Sequence, residues 1–196
     1  RPIDNPLKII SPPANPLEST PLCRISDTHP METRLALYET LSLAQKQQLD
    51  TLQVHPEQLA YSGDIYCALN SLLVNPHPDA IKGFALLADE TPVAFLLLKR
   101  PPCLPHWADE HSATLHALQV DRHQQGRGFG KACLQALPAA ARLAWPQIKG
   151  LGLSVDTDNV AAMGLYLAAG WVDDGEAYKG RIGYERRLRW DFAAQR

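Results

Sequence analysis

The stretch Gln125-Gly126-Arg127-Gly128-Phe129-Gly130-Lys131 decides how this chain is read. It follows an apolar, strand-like run from Leu115 to Val120 and opens a helix-like run that reaches about Trp145. A glycine-rich turn between strand and helix leaves backbone N–H groups free at the helix N-terminus, where aligned peptide dipoles add partial positive charge. That geometry binds phosphate. Arg127 and Lys131 add mobile cations beside it. The ligand expected here carries a phosphate.

Spacing separates the phosphate loops from one another. A P-loop needs Gly, four residues, then Gly-Lys-Ser/Thr. Gly130-Lys131 fits its end, but the first Gly would fall on Gln125 and the magnesium-holding hydroxyl on Ala132. A dinucleotide fingerprint needs Gly-x-Gly-x-x-Gly. Counted from Gly126 its last Gly falls on Lys131, and counted from Gly128 it falls on Cys133. The acidic residue expected some way downstream is missing as well, since that region reads Gln147-Ile148-Lys149-Gly150. What remains is Gln-x-x-Gly-x-Gly at Gln125, Gly128 and Gly130. A second element follows: Ser154-Val155-Asp156-Thr157-Asp158-Asn159, then a short apolar segment containing Leu165-Tyr166, then Gly170-Trp171.

Together these two elements resemble the acyl-CoA loop and the following strand–Asn–helix–Gly-aromatic segment of the GNAT family of N-acetyltransferases. The resemblance spans roughly residues 22–190 and is strongest over 113–172. It implies a mixed α/β fold in which a mostly antiparallel sheet, flanked by helices, splays open between its fourth and fifth strands. The pantetheine arm of acetyl-CoA lies in that split. The resemblance further implies that the backbone N–H groups of Arg127, Gly128, Gly130 and Lys131 take the pyrophosphate, with Gln125, Gly126 and Phe129 completing the cofactor-binding loop. Leu118, Val120 and Asn159 would contact the pantetheine and acetyl group, with the Leu118 N–H toward the developing oxyanion. Tyr166 matches the position of the family's general acid. His116 sits where some members carry a carboxylate that draws the amine proton through water, whereas the glutamate others carry at the position of Thr114 is absent. Acetyl-CoA is thus the expected acyl donor, with no metal. The implied reaction is direct transfer of the acetyl group to a primary amine in a ternary complex. The alternative is a non-catalytic acyl-CoA-binding or sensing module on the same fold.

Composition is compatible with this reading. The chain has 196 residues, 45% hydrophobic and 20% charged, with a formal net charge of −2. These values suit one globular domain with a substantial core. Net acidity argues against a general nucleic-acid binder. The longest unbroken apolar run, Val93 to Leu98, is far short of a membrane span. No N-terminal segment reads as a secretion signal, and Cys23, Cys67, Cys103 and Cys133 form no Cys-x-x-Cys pair, which suits reduced thiols in a cytoplasmic protein. A monomer or a homodimer is expected.

Residues 1–21 hold six prolines and read as a mobile tail; residues 22–196 read as one domain. Its expected elements begin with a strand at Leu22–Ser26, a helix at Met31–Leu49 and another from Pro56 to about Leu73. Strands follow at Phe84–Ala88 and Val93–Lys99, around Asp89-Glu90-Thr91-Pro92, and at Ala113–Val120. The helix after the glycine loop places Phe129, Cys133, Leu137 and Ala141 on one stripe, with Pro138 breaking or kinking it. Leu151, Leu153 and Val155 alternate as a strand. A closing hairpin is expected from Trp171–Tyr178 and Arg181–Leu188 around Lys179-Gly180. Alternation along Ala113–Val120 would put His116, Leu118 and Val120 on one face. The histidines at His55, His77, His106, His111 and His123 have no metal-ligand spacing, and Cys133 is expected in the core. Asp109, Glu110, Asp173, Asp174 and Glu176 fall in segments that border the acceptor entrance in the family. They suggest a small cationic amine, with Trp107, Trp171 and Tyr178 as aromatic faces and Arg181 as a possible carboxylate binder.

Overall fold

The computed structural model describes residues 30–175 and 178–195. The tail and the strand expected at Leu22–Ser26 lie outside the described residues. The first described strand is β1 (Thr33–Leu37), where a helix was expected from Met31. It pairs antiparallel with β2 (Ile81–Ala88) from Thr33↔Ala88 to Leu37↔Phe84. Leu35 and Leu37 pack into one core and the intervening Ala36 into another, a period of two that a count of leucines alone does not separate from a helix. Helix α1 (Leu43–Leu49) starts only at Ser42. Ser42 Oγ accepts from Gln45 N at 3.1 Å, and Gln45 Oε1 accepts from Ser42 N at 3.0 Å, a reciprocal cap.

The helix expected from Pro56 is also divided. A 3-10 turn at Pro56–Gln58 leads into α2 (Leu59–Ser62), and α3 (Ile65–Leu73) follows after Gly63. Gly63 adopts φ +68°, which ends the first segment, and Asp64 caps the second by accepting from Cys67 N at 2.7 Å.

Strands β2 and β3 (Thr91–Lys99) form a hairpin whose turn is just Asp89-Glu90, both at positive φ. Such two-residue turns match the twist of the flanking strands. Both strands are covered on both faces, which is why they read as unbroken apolar runs. Phe84, Leu86, Leu96 and Leu98 face one core, and Ala85, Leu87, Phe95 and Leu97 face the other. The first core lies under α4 (Phe129–Ala144) and α5 (Val160–Ala168); the second takes buried residues from α1 and α3.

Strand β4 (Ser112–Val120) pairs antiparallel with β3, and β5 (Gly150–Asp156) runs parallel to β4 for only three residue pairs, ending at Thr114↔Gly152. Beyond that point the sheet is open. β5 then pairs along its whole length with β8 (Tyr184–Asp191), against whose other edge lie β6 (Val172–Asp173) and β7 (Tyr178–Lys179). The closing turn is at Gly180–Gly183, so the last strand begins at Tyr184 and not at Arg181, and Gly180 N donates to Gly183 O at 2.6 Å. The fold is thus a single open mixed sheet with helices on both faces. Among the described residues no helix is long and apolar enough to cross a membrane.

Candidate active site at the split in the sheet

The site begins where β4 stops. Gly126 and Gly128 take φ +75° and +85°, a region that only glycine enters without strain, and Gly128 serves as the N-cap of α4. The first bond into the helix is Ala132 N to Gly128 O at 2.9 Å. The N–H groups of Phe129, Gly130 and Lys131 therefore precede the helical ladder and keep the dipole's positive end open. Gly130 has a further constraint: a Cβ there would stand 3.1 Å from Leu165 Cδ2, so α4 and α5 approach closely at this point.

These groups border a cavity of about 470 Å³ that runs into the split. Gln125, Gly126, Gly128, Phe129, Gly130 and Lys131 line it, as do Leu118, Val120 and Asn159 from the flanking elements. Arg127 is the exception: its guanidinium donates to Gln124 Oε1 and lies over the Phe129 ring, 5.2 Å from its centroid. The Phe129 ring belongs to the core. Gln125 acts through its amide, which exchanges hydrogen bonds of 2.8 and 3.1 Å with Gln58 and donates to Val120 O at 3.0 Å. Gln58 was not foreseen; it ties the turn before α2 to the glycine loop. Asn159 Oδ1 accepts from Ala162 N at 3.2 Å and so caps α5.

Tyr166 lines this cavity from α5 and packs edge-on against Trp171, with centroids 6.0 Å apart. Burial pushes its phenol above its ordinary pKa, so it is protonated at neutral pH. Cys133 is wholly buried, as expected, and burial pushes its thiol up to about 12.

His116 departs from expectation. Ala117 and Leu118 together oppose Leu96, a bulge in which Ala117 takes φ +52°. The extra residue reverses the alternation. Leu118 and Val120 stay with the core under α4 and α5, whereas His116 shares the opposite face with Thr114. His116 Nε2 lies 2.7 Å from Thr114 Oγ1. Burial, aided by the Lys99 charge, lowers the imidazole pKa to about 4. His116 is therefore neutral at physiological pH.

A second cavity of about 230 Å³ lies on the His116 side of the split. It shares Tyr61, Ser62, Leu118, Asn159, Ala162 and Tyr166 with the first, so Tyr166 stands where the two meet. Its polar wall comprises His116, Ser154, Asp156, Arg181 and Glu185. Ser154, Asp156 and Glu185 were not foreseen. Ser154 and Asp156 are the polar positions that alternate with Leu153 and Val155, which was the available signal.

Among the described residues, the acidic side chains expected at the acceptor entrance line neither of these two cavities. Asp109 borders a third cavity that shares no residue with the other two, and Glu110 lies 3.7 Å from His111. Asp173 pairs with Arg186 at 2.6 Å and Asp174 with Arg189 at 3.1 Å. Glu176 lies outside the described residues. Trp171 is 3% exposed, the Tyr178 ring carries Arg187 at 5.0 Å, and Trp107 packs over Gly152. Arg181 donates to Ala60 O at 2.6 Å. Among the described residues no group of His, Cys, Asp and Glu is arranged to hold a metal ion.

This loop, split and helix pairing coincide with a family match. Residues 40–171, well over half the chain, match the acetyltransferase (GNAT) family model, and the chain belongs to that family. No curated protein matches it in sequence. Among solved structures, aminoglycoside acetyltransferase AAC(6')-Ib in complex with coenzyme A superposes with a TM-score of 0.63 at 13% identity, over 83% of this chain and 96% of that one. Spermidine N-acetyltransferase from Vibrio cholerae, in complex with CoA and spermine, gives 0.61 at 17% identity, over 82% and 96%. The GNAT domain of S. lividans PAT gives 0.61 at 19% identity, over 82% and 90%. At these identities the likeness is one of fold.

Proposed function

We propose that this protein is an N-acetyltransferase that moves an acetyl group from acetyl-CoA to a small primary amine within a ternary complex. The observation that carries the reading is the meeting of two cavities at Tyr166, one floored by the open N-terminus of α4 and the other polar. The helix N-terminus suits the pyrophosphate, and the unpaired edges of β4 and β5 suit the amide-bearing pantetheine arm. The amine enters from the His116 side and attacks the thioester carbonyl. A C–N bond forms, the C–S bond breaks, and one proton leaves the nitrogen as one reaches the sulfur.

The Leu118 N–H is the candidate donor to the oxyanion, because the bulge takes this residue out of the regular ladder. Tyr166 is the candidate acid for the thiolate. His116 is the candidate base: in the tautomer whose Nε2–H donates to Thr114 Oγ1, Nδ1 is the ring nitrogen left to take the amine proton, directly or through water. Its lowered proton affinity makes it a relay toward solvent. Asn159 and Gln125 act as positioning residues, through the α5 cap and the loop.

Two readouts test this. Saturating acetyl-CoA is expected to raise Tm by roughly 5–10 °C, as a ligand at about a hundred times its Kd does for a domain of this size. Gly128→Val is expected to abolish that shift; its own lower Tm, from a branched residue at positive φ, is a separate effect. CoA release across an amine panel reports transfer. A full thermal shift without release from any amine would favour the non-catalytic acyl-CoA-binding module instead.

A further inference from the structure

Helix α2 stands between the two cavities and has no buried anchor of its own. Tyr61 and Ser62 border both cavities. None of its four residues is buried, and Leu59 and Tyr61 are 44% and 42% exposed. A single helical turn is marginal by itself, and a segment with few buried contacts opens readily. Hydrogen bonds to the rest of the fold therefore set its position. Towards its C-terminal end, Ala60 O accepts from the Arg181 guanidinium. Immediately before it lies the Gln58–Gln125 amide pair. Two backbone groups fix the orientation of that pair: Gln58 Oε1 also accepts from His55 N at 3.1 Å, and Gln125 Nε2 also donates to Val120 O. Turning either amide over would set like groups against each other. The result is one chain of hydrogen bonds from His55 N, through both amides, to the last carbonyl of β4. Bonds in such a chain polarise and strengthen one another. Further back, Gln53 N donates to Asp121 Oδ2 at 3.0 Å and Gln53 O accepts from Arg122 N at 2.6 Å, ahead of the glycines. Those two bonds dock the segment independently of the amides. The amide pair is the direct link from the glycine loop to α2.

We propose that Gln58 is a positioning residue that carries occupancy of the glycine loop to α2, so that acyl-CoA binding steadies one wall of the second cavity. This rests on the acetyltransferase reading above. A phosphate held by the N–H groups at the start of α4 fixes the glycine loop, and with it Gln125. Gln125 holds Gln58, and Gln58 holds the helix that begins directly after it. Tyr61 and Ser62 are then fixed on the side from which the amine arrives. No change of fold is required: a turn ordered by one ligand costs less to order for the next. By linkage the effect is reciprocal, and an amine seated against α2 steadies the loop by the same free energy.

The test follows hydrogen exchange of the backbone amides of residues 59–63 by mass spectrometry, with and without saturating CoA. In the parent, CoA is expected to slow their exchange about tenfold, within the usual range of coupling between sites. Gln58→Met keeps the length of the side chain and removes the pair. Gln125→Met cuts the same pair from the other side, which keeps the test open where one variant folds poorly. In each, at CoA concentrations that saturate that variant, the slowing is expected to vanish, and the double variant is expected to behave as either single one. Gln58→Glu, which sets an oxygen against Gln125 Oε1, is expected to lose the slowing as Met does. Turnover gives a second readout. With the amine that releases CoA fastest in the panel, KM of that amine is expected to rise about tenfold in Gln58→Met while kcat stays within about twofold. Slowing that persists in both Met variants would mean that CoA reaches α2 by another route, and would overturn the proposal. Unchanged exchange in the parent with CoA bound, or a fall in kcat at constant KM, would overturn it as well. Absence of any CoA thermal shift in the parent would instead remove the acetyltransferase reading.

Discussion

Two side chains carry the candidate chemistry, and their burial sets what each is able to do. Tyr166, protonated by virtue of its buried phenol, is placed to give a proton and has no tendency to lose one at rest. Tyr166→Phe keeps the packing on Trp171 and removes the proton; kcat is expected to fall about 100-fold with the acetyl-CoA thermal shift retained. A kcat within twofold of the parent would make Tyr166 structural. His116 has a consequence for stability. Its pKa is about 4 in the fold against 6.5 ordinarily, so between those values the unfolded chain binds more protons. Stability therefore falls as pH drops from above 6.5 toward 4, by roughly 3 kcal/mol at most. In His116→Gln, which keeps a polar partner for Thr114 and does not titrate, urea midpoints measured across this window are expected to decline less steeply than in the parent. Identical slopes would mean that the imidazole is not held neutral. The residue types at both positions were readable in the sequence, but the face His116 occupies was not. Ala117 carries no mark of a bulge, since alanine rarely takes φ +52°, at a cost of about 1–2 kcal/mol.

Among the elements, α4 shows a local rule outvoted by packing. Pro138 lies inside a helix that continues from Phe129 to Ala144, although proline cannot donate to the carbonyl of Leu134. The stripe of Phe129, Cys133, Leu137 and Ala141, all buried, holds the helix together across that gap. Pro138→Ala restores the donor and is expected to raise stability by about 1–2 kcal/mol, net of the chain entropy that proline removes from the unfolded state. Position 138 is roughly 15 Å along the axis from the helix N-terminus, so the acetyl-CoA shift should be unchanged. Thermal unfolding checks both, and a lower Tm would mean that the ring itself fills the core. The apolar stripe was legible because it repeats within one element. Strand β1 was not: Leu35, Leu37 and Leu41 fit a helical reading as well, and only pairing with β2 selects the extended form. Ser42 and Gln45 held the missed signal, since a Ser-x-x-Gln cap marks where a helix can begin.

At the scale of the whole molecule, function rests on a sheet that stops being one. β4 and β5 part after Thr114↔Gly152; the end of β4 lines the cavity that opens onto α4, and the end of β5 lines the second cavity. The sequence by itself determined the glycine loop, the helix it opens, the strands on either side and the capped α5 helix with its tyrosine. Each of these is written in contiguous residues whose spacing has a direct steric or hydrogen-bonding cause. Tertiary structure alone decided which charges meet. Asp173 and Asp174 look available in the sequence but meet Arg186 and Arg189 across strand pairs, whereas Asp156 and Glu185, distant in the chain, are brought directly opposite each other on one wall of the second cavity. Electrostatic partnership depends on distance in space, and the register of β5 on β8 sets that distance without leaving a local trace in either strand.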